Sequence, residues 1–249
     1  MISLRARIDA AAQPDHAPLR GPFLAVPSAM VTEIACASGP DFICVDMEHG
    51  AISAETGEAM VRAAAVFRVP ALVRVPGVDG IAIGQALDWG ADGILVPRVN
   101  SAEDARRAVE AARYPPEGSR GAGPGRASGY GRAIPAAILR ARSNAVVALQ
   151  IETVPALDHL DDILAVQGVD LLFIGPGDLR LGLEAAGRTD KISDAIQQIL
   201  QACEIAKRPC GLFAMTREEL TPYESRIALG IIGSDASALI TSFDVMFSR

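Results

Sequence analysis

The chain has 249 residues, 50% of them hydrophobic and only 4% aromatic, enough for one large domain whose core is filled by Ala, Val, Ile and Leu. A formal net charge of -7 argues against nucleic acid or an anionic membrane as the main partner. The opening segment holds no apolar block of the signal-peptide kind, and no run reaches the ~18 residues of a membrane span, so a soluble, cytoplasmic protein is expected.

Short apolar runs recur along the chain. They lie at 22–28, 42–48, 71–76, 93–99, 146–152, 171–175, 209–215 and 229–236, and their character is that of buried strands. Ala-rich segments with helical spacing separate most of them. Ser101 with Asp104 reads as a capping box opening the helix after the fourth run. Leu157, Leu160 and Leu164 form one helical stripe, and Ile196, Ile199, Leu200 and Cys203 another. Leu239, Phe243, Met246 and Phe247 mark a final helix. Strands alternating with helices predict a parallel α/β sheet. A closed (β/α)8 TIM barrel occupying residues 1–249, with 1–21 as an N-terminal extension, fits both length and strand number. A doubly wound open sheet is the alternative, but no GxGxxG follows the first run.

Residues 114–135, YPPEGSRGAGPGRASGYGRAIP, break the rhythm, and no helix of ordinary length is expected there. The segment reads either as a surface insertion or as a lid or wall carrying Arg120, Arg126 and Arg132 toward an anionic ligand. Cys36, Cys44, Cys203 and Cys210 show no metal-binding spacing. His16 and His159 sit in polar surroundings and read as surface residues.

Side chains alternate along a strand. In the second run Ile43, Val45 and Met47 take the outer face, which leaves Asp46 and Glu48 pointing into the barrel near its C-terminal mouth. In the fifth, Gln150 and Glu152 face inward; in the third, Leu72 and Arg74 do. Asp178 follows the sixth run in the sequence GPGD. Barrel active sites lie at that face. The competing reading is a salt-bridge network in which Arg74 neutralises Glu152 and Asp178.

The ordered blocks D-x-E-H (46–49), VRVP around Arg74, LDWGADGILVPRV (87–99), YPPEGSRG (114–121), QIET (150–153), FIGPGDL (173–179) and GSD (233–235) resemble the HpcH/HpaI family of metal-dependent class II pyruvate aldolases. The resemblance covers roughly residues 22 to 240 and implies a (β/α)8 barrel assembled as a homohexamer, a trimer of dimers, with a C-terminal helix exchanged between subunits. It implies Glu152 and Asp178 as ligands of Mg²⁺ or Mn²⁺, with Co²⁺ also accepted. Gln150 would support the site, Arg74 would neutralise an enolate, and His49 would be the base with Asp46 orienting it. Asp88 would contribute across a subunit contact, and the backbone N–H groups of Gly177 and Asp178 would hold a substrate carboxylate. The implied reaction cleaves a 4-hydroxy-2-oxo acid into pyruvate, or a related 2-oxo acid, and an aldehyde. Decarboxylation of oxaloacetate and cleavage of a CoA ester are alternatives using the same enolate; a barrel that only binds a small acid is a third. A Schiff-base route is disfavoured independently, because Lys191 and Lys207 are the only lysines and neither lies on a predicted strand. The segment before residue 22, the added glycines of the 114–135 loop and the stretch after Leu179 depart from the family pattern and bear on the aldehyde half.

Overall fold

The computed structural model describes residues 2–188 and 191–248. Eight strands close into a parallel barrel in sequential order. They are β1 (Leu19–Leu24), β2 (Ile43–Asp46), β3 (Ala71–Arg74), β4 (Gly93–Val96), β5 (Val146–Ile151), β6 (Leu171–Ile174), β7 (Cys210–Ala214) and β8 (Leu229–Ser234). Closure is made by β1 on β8, with Leu19 opposite Leu229 and a register shift between Gly21 and Phe23. The open-sheet alternative is thereby excluded.

The helices are α1 (Leu4–Ala11), α2 (Ala29–Ala37), α3 (Ala54–Val66), α4 (Gly80–Asp88), α5 (Ala102–Ala112), α6 (Ile134–Asn144), α7 (Val154–Asp158), α8 (Leu160–Leu164), α9 (Pro176–Ala185), α10 (Ile192–Ile205), α11 (Arg217–Leu220) and α12 (Asp235–Phe247). Where a strand hands over to its helix, Ser28, Ser53, Asp79, Ser101, Thr153, Thr216 and Ser234 take the N-cap, each side chain accepting from a backbone N–H of the first turn. The Ser101 cap is the one expected: its Oγ accepts from Asp104 N–H at 3.2 Å, and Asp104 reaches back to the Asn100 N–H at 3.1 Å. The predicted Leu157–Leu164 helix is instead two short ones, α7 and α8, which meet at His159.

Two apolar layers carry the fold. The outer faces of the strands, among them Ile43, Val45, Val73, Leu149 and Ile174, pack against the helices. The inner faces, among them Cys44, Leu72, Leu95, Phe173 and Ile231, fill the barrel. The N-terminal segment belongs to this second layer. Leu4, Ile8 and Ala11 project from α1 into the interior cluster and floor the barrel at its N-terminal end. Arg5 and Arg7 tether α1 to Asp170 and Asp41, each at 2.6 Å. The first strand therefore starts at Leu19 rather than at residue 22.

Before α6 opens at Ile134, the 114–135 segment contains only a 3-10 turn, at Arg126–Ser128. Gly129, Tyr130 and Gly131 follow with φ of 62°, 56° and 90°, a left-handed path that two glycines ease. The segment packs beneath the barrel. Arg120 Nη2 lies 2.6 Å from Asp88 Oδ1 and Arg126 Nη1 donates to the Trp89 carbonyl at 2.9 Å, both at the turn that precedes β4. Neither arginine faces the mouth of its own barrel, so the segment is not a lid over it.

Candidate active site

β2 and β3 pair with Asp46 opposite Arg74. The carboxylate takes two bonds from the guanidinium, Nε to Oδ1 at 2.9 Å and Nη2 to Oδ2 at 2.6 Å. Asp46 Oδ1 also accepts the N–H groups of Glu48 (3.1 Å) and His49 (3.2 Å), which fixes the turn after the strand. The guanidinium rests on the ring of Phe23, 4.2 Å from its centroid, and its Nη1 lies 3.3 Å from Glu48 Oε2. Arg74 is buried, yet it is paired on its edge, stacked on its face and aimed at the barrel mouth. Asp46 thus orients Arg74 and the backbone of His49; the imidazole itself neighbours Glu48, with Nε2 3.8 Å from Oε2. The reason is register: the neighbouring strand brings Arg74 to Asp46, which no local spacing announces.

Across the mouth, Gln150 and Glu152 point inward from β5, both buried. Glu152 Oε1 accepts the Arg98 N–H at 2.7 Å, and Oε2 accepts from Gln150 Nε2. Arg98 reaches this position through a left-handed φ of 54°, a backbone strain concentrated where the acid is positioned. Gly175, at the end of β6, leaves room beside them: a Cβ there would stand 2.7 Å from Gln150 Nε2 and 2.9 Å from Glu152 Cβ. Burial pushes the Glu152 carboxyl up to about 7. The Arg98 N–H and Arg74 oppose that rise, while Glu48 and Asp178 add to it. Burial likewise raises Glu48, against Arg74 and His49.

Asp178 sits in the first turn of α9 and shares with Glu152 the wall of a cavity of about 420 Å³, together with Arg98 and Thr153. Its carboxylate has no hydrogen bond or ion pair among the described residues. The salt-bridge alternative is not what forms, since Arg74 engages Asp46 and Glu48 instead. The N-cap of α9, Gly175, offers no side-chain cap, so the N–H groups of Gly177 and Asp178 are free donors at the positive end of a ten-residue helix, longer than the short one expected.

Three mutually repelling carboxylates, Glu48, Glu152 and Asp178, face one region, and a buried acceptor there, Gln150 Oε1, lacks a hydrogen-bond partner, while Glu48 Oε2 has only its ion pairs with Arg74 and His49. That donor set is hard oxygen, and a divalent cation would relieve both the repulsion and the unpartnered acceptor. No cluster of three or more ligating residues is preformed among the described residues, so Glu152 and Asp178 would need water or substrate oxygens to complete a coordination shell.

The sequence profile of the HpcH/HpaI aldolase/citrate lyase family matches residues 20–236. The chain belongs to that family. A 4-hydroxy-2-oxovalerate aldolase of Novosphingobium aromaticivorans is 38% identical over 202 residues, 80% of this chain and 76% of the relative. A 4-hydroxy-2-oxo-heptane-1,7-dioate aldolase of Shigella flexneri is 35% identical over 238 residues, 93% of this chain and 88% of the relative. The crystal structure of a family protein from Burkholderia cenocepacia J2315 superposes with a TM-score of 0.88 at 30% identity, covering 98% of this chain and 96% of that one. This HpcH/HpaI member is an enzyme of the lyase class, of aldolase type.

Of the residues singled out in the sequence, Asp46, Glu48, His49, Arg74, Gln150, Glu152, Gly177 and Asp178 meet at one mouth. Asp88 does not. It ends α4 at the opposite end of the barrel, where Arg120 holds it, so only another copy could bring it to a mouth. His16 and His159 are exposed, and His159 Nδ1 lies against the Pro155 carbonyl at 2.9 Å. Sequence reasoning missed Phe23 under Arg74, Arg98 behind Glu152 and the clearance at Gly175. The alternation that places Phe23 on the inner face was a usable signal; the left-handed Arg98 had none.

Proposed function

We propose that the enzyme cleaves a 4-hydroxy-2-oxo acid into pyruvate, or a close 2-oxo acid, and an aldehyde, with Glu152 and Asp178 holding Mg²⁺ or Mn²⁺, or Co²⁺ in their place. The observation that carries this reading is the pairing of a buried, cation-seeking carboxylate with an exposed one on the wall of one cavity, beside a fixed arginine. A divalent metal, when bound, supplies Lewis-acid polarisation of the 2-oxo group.

The chain's own residues do the rest. The free N–H groups of Gly177 and Asp178 bind the substrate carboxylate. The His49 imidazole, its side chain 59% exposed, takes the proton of the C4 hydroxyl. C4–O becomes a carbonyl, the C3–C4 electron pair stays with the three-carbon half, and the aldehyde departs. The enolate charge develops in front of Arg74, which cannot swing away because Asp46 and Phe23 hold it, so no reorganisation is needed at the moment of cleavage. A proton returned to C3 completes the 2-oxo acid.

Assembly completes the reading. Leu239, Phe243, Met246 and Phe247 on α12 are 40%, 48%, 69% and 76% exposed, an apolar stripe that a second copy would cover. A homohexamer with α12 exchanged would also allow Asp88 of one copy to approach His49 of another. The buried free cysteines and the absence of any helix long and apolar enough to cross a membrane, among the described residues, support a cytoplasmic setting.

Incubation with 4-hydroxy-2-oxo acids of varied chain length and Mg²⁺ or Mn²⁺ should release pyruvate, and pyruvate alone should exchange its methyl protons in deuterated water. Absence of both would overturn the proposal.

A further inference from the structure

A second polar cavity lies at the other end of the barrel, away from Glu152 and Asp178 of the same chain. Its volume is about 420 Å³, and its wall is formed by the turn before β4, the 114–135 segment and α6. Three arginines line it: Arg120, Arg126 and Arg140. Arg120 is 6% exposed; it lies over the Tyr114 ring and gives Nη2 to Asp88, but its buried Nε has no hydrogen-bond partner. Arg126 and Arg140 each spend one N–H on a backbone carbonyl, of Trp89 (2.9 Å) and Ala127 (3.0 Å), and neither makes an ion pair among the described residues. The approach of Arg126 is built in. Gly90, at φ 89°, leaves Arg126 Nη1 a place only 2.6 Å from where a Cβ would stand. Of the opposing acids, Asp88 is held by Arg120, while Asp92, itself in the cavity wall, accepts the Ala71 N–H at 3.0 Å and faces the charge of Arg126, which leaves three guanidinium groups against two carboxylates.

We propose that this cavity at the foot of the barrel is a binding site for a small oxyanion, a phosphate or carboxylate group recognised by Arg120, Arg126 and Arg140. Guanidinium groups with most of their N–H donors unspent match the planar edges of such anions. The orphaned Nε of Arg120 is a buried donor whose cost an anion would remove. The occupant would tie together three segments that are distant in sequence, and it would touch the arginine that positions Asp88.

The test is calorimetric titration of the full-length protein with inorganic phosphate and, separately, with malonate, alongside Arg140→Gln and Arg126→Gln. Thermal melts serve as the second readout. Saturable binding of one or both anions is expected, with a rise in Tm of roughly 3–6 °C at ten times Kd. Arg140→Gln should weaken that binding at least ~10-fold while remaining folded, because Arg140 is an exposed helical residue. Whichever anion binds more tightly names the head group. Generic salt stabilisation or anion binding at the mouth would be the same in wild type and both variants, and that result overturns the site, as does the absence of saturable binding. The readouts are anion affinity and Tm, not pyruvate release, so failure of this site and failure of the aldol reading are told apart.

Discussion

Asp46 and Arg74 are cross-strand partners joined by two charge-assisted bonds, and both are buried. A guanidinium left alone in that position has, among the described residues, Glu48 as its only remaining acidic neighbour within salt-bridge range. Asp46→Ala should therefore destabilise the fold by on the order of 3–5 kcal/mol, measured by urea unfolding, since removing one member of a buried pair strands the other. Loss below 1 kcal/mol would show that the pair is not what fixes Arg74.

Glu152 offers a sharper contrast between stability and function. Its folded pKa of about 7 lies above the ordinary carboxylate value, so the folded state favours the protonated form. The resulting penalty is absent in acid, grows as pH rises from about 4.5 and is complete above about 7, where it is on the order of 3 kcal/mol. Metal-free Glu152→Gln should consequently unfold at a higher temperature than wild type at pH 8 and show no such gain at pH 4.5. The same variant should lose Mn²⁺ affinity by more than ~100-fold, because a charged ligand matters more than its supporting shell. Unchanged Mn²⁺ affinity would remove Glu152 from the metal site.

The same raised pKa fixes how metal affinity depends on pH. Binding requires the ionised carboxylate, so below about 7 each metal ion must displace the Glu152 proton. Mn²⁺ affinity should rise close to tenfold per pH unit up to that point and level off above it. Titrations at pH 6 in buffers of different ionisation enthalpy should report about one proton released per ion, and none at pH 8.5.

Gly175 is required for space rather than for φ. A methyl group there meets Gln150 Nε2 at 2.7 Å and Glu152 Oε2 at 3.0 Å. Gly175→Ala should leave the circular dichroism spectrum unchanged while weakening metal binding and lowering kcat, because the Glu152 carboxylate must move off the Arg98 N–H. An unaltered kcat with unaltered metal affinity would show that the carboxylate tolerates displacement.

The barrel was readable because buried parallel strands leave continuous apolar runs, and strict alternation shows which side faces inward. Asp46, Arg74, Gln150 and Glu152 fell on the inner face by that rule alone. What the alternation does not carry is partnership. The family resemblance assigns Asp46 to the support of His49, three residues away, whereas the register of β2 on β3 gives its carboxylate to Arg74, 28 residues on. The floor of the barrel was hidden for a different reason. Its signal is three apolar positions, Leu4, Ile8 and Ala11, diluted by Arg5, Arg7 and Asp9. The glycine-rich segment gave its irregularity but not its direction, since where Arg120 and Arg126 point depends on the turn before β4.

The α12 stripe tests assembly. The helix is anchored at its start by Asp235, whose oxygens accept the Ala25 and Val26 N–H groups at 2.8 and 3.0 Å, but beyond that turn its apolar side chains face outward. Phe243 and Phe247 stack on each other with centroids 6.2 Å apart, and neither is buried by its own barrel. Each such side chain contributes about 1.5–3 kcal/mol when fully covered, so a partner surface is the natural consequence. Light scattering after gel filtration should show wild type as a homo-oligomer and Leu239→Asp/Phe243→Asp as a smaller species. If Asp88 serves the neighbouring mouth, kcat should fall when assembly is lost, while Mn²⁺ binding by Glu152 and Asp178 persists. A monomeric wild type with full activity would sink both the exchange of α12 and the role of Asp88.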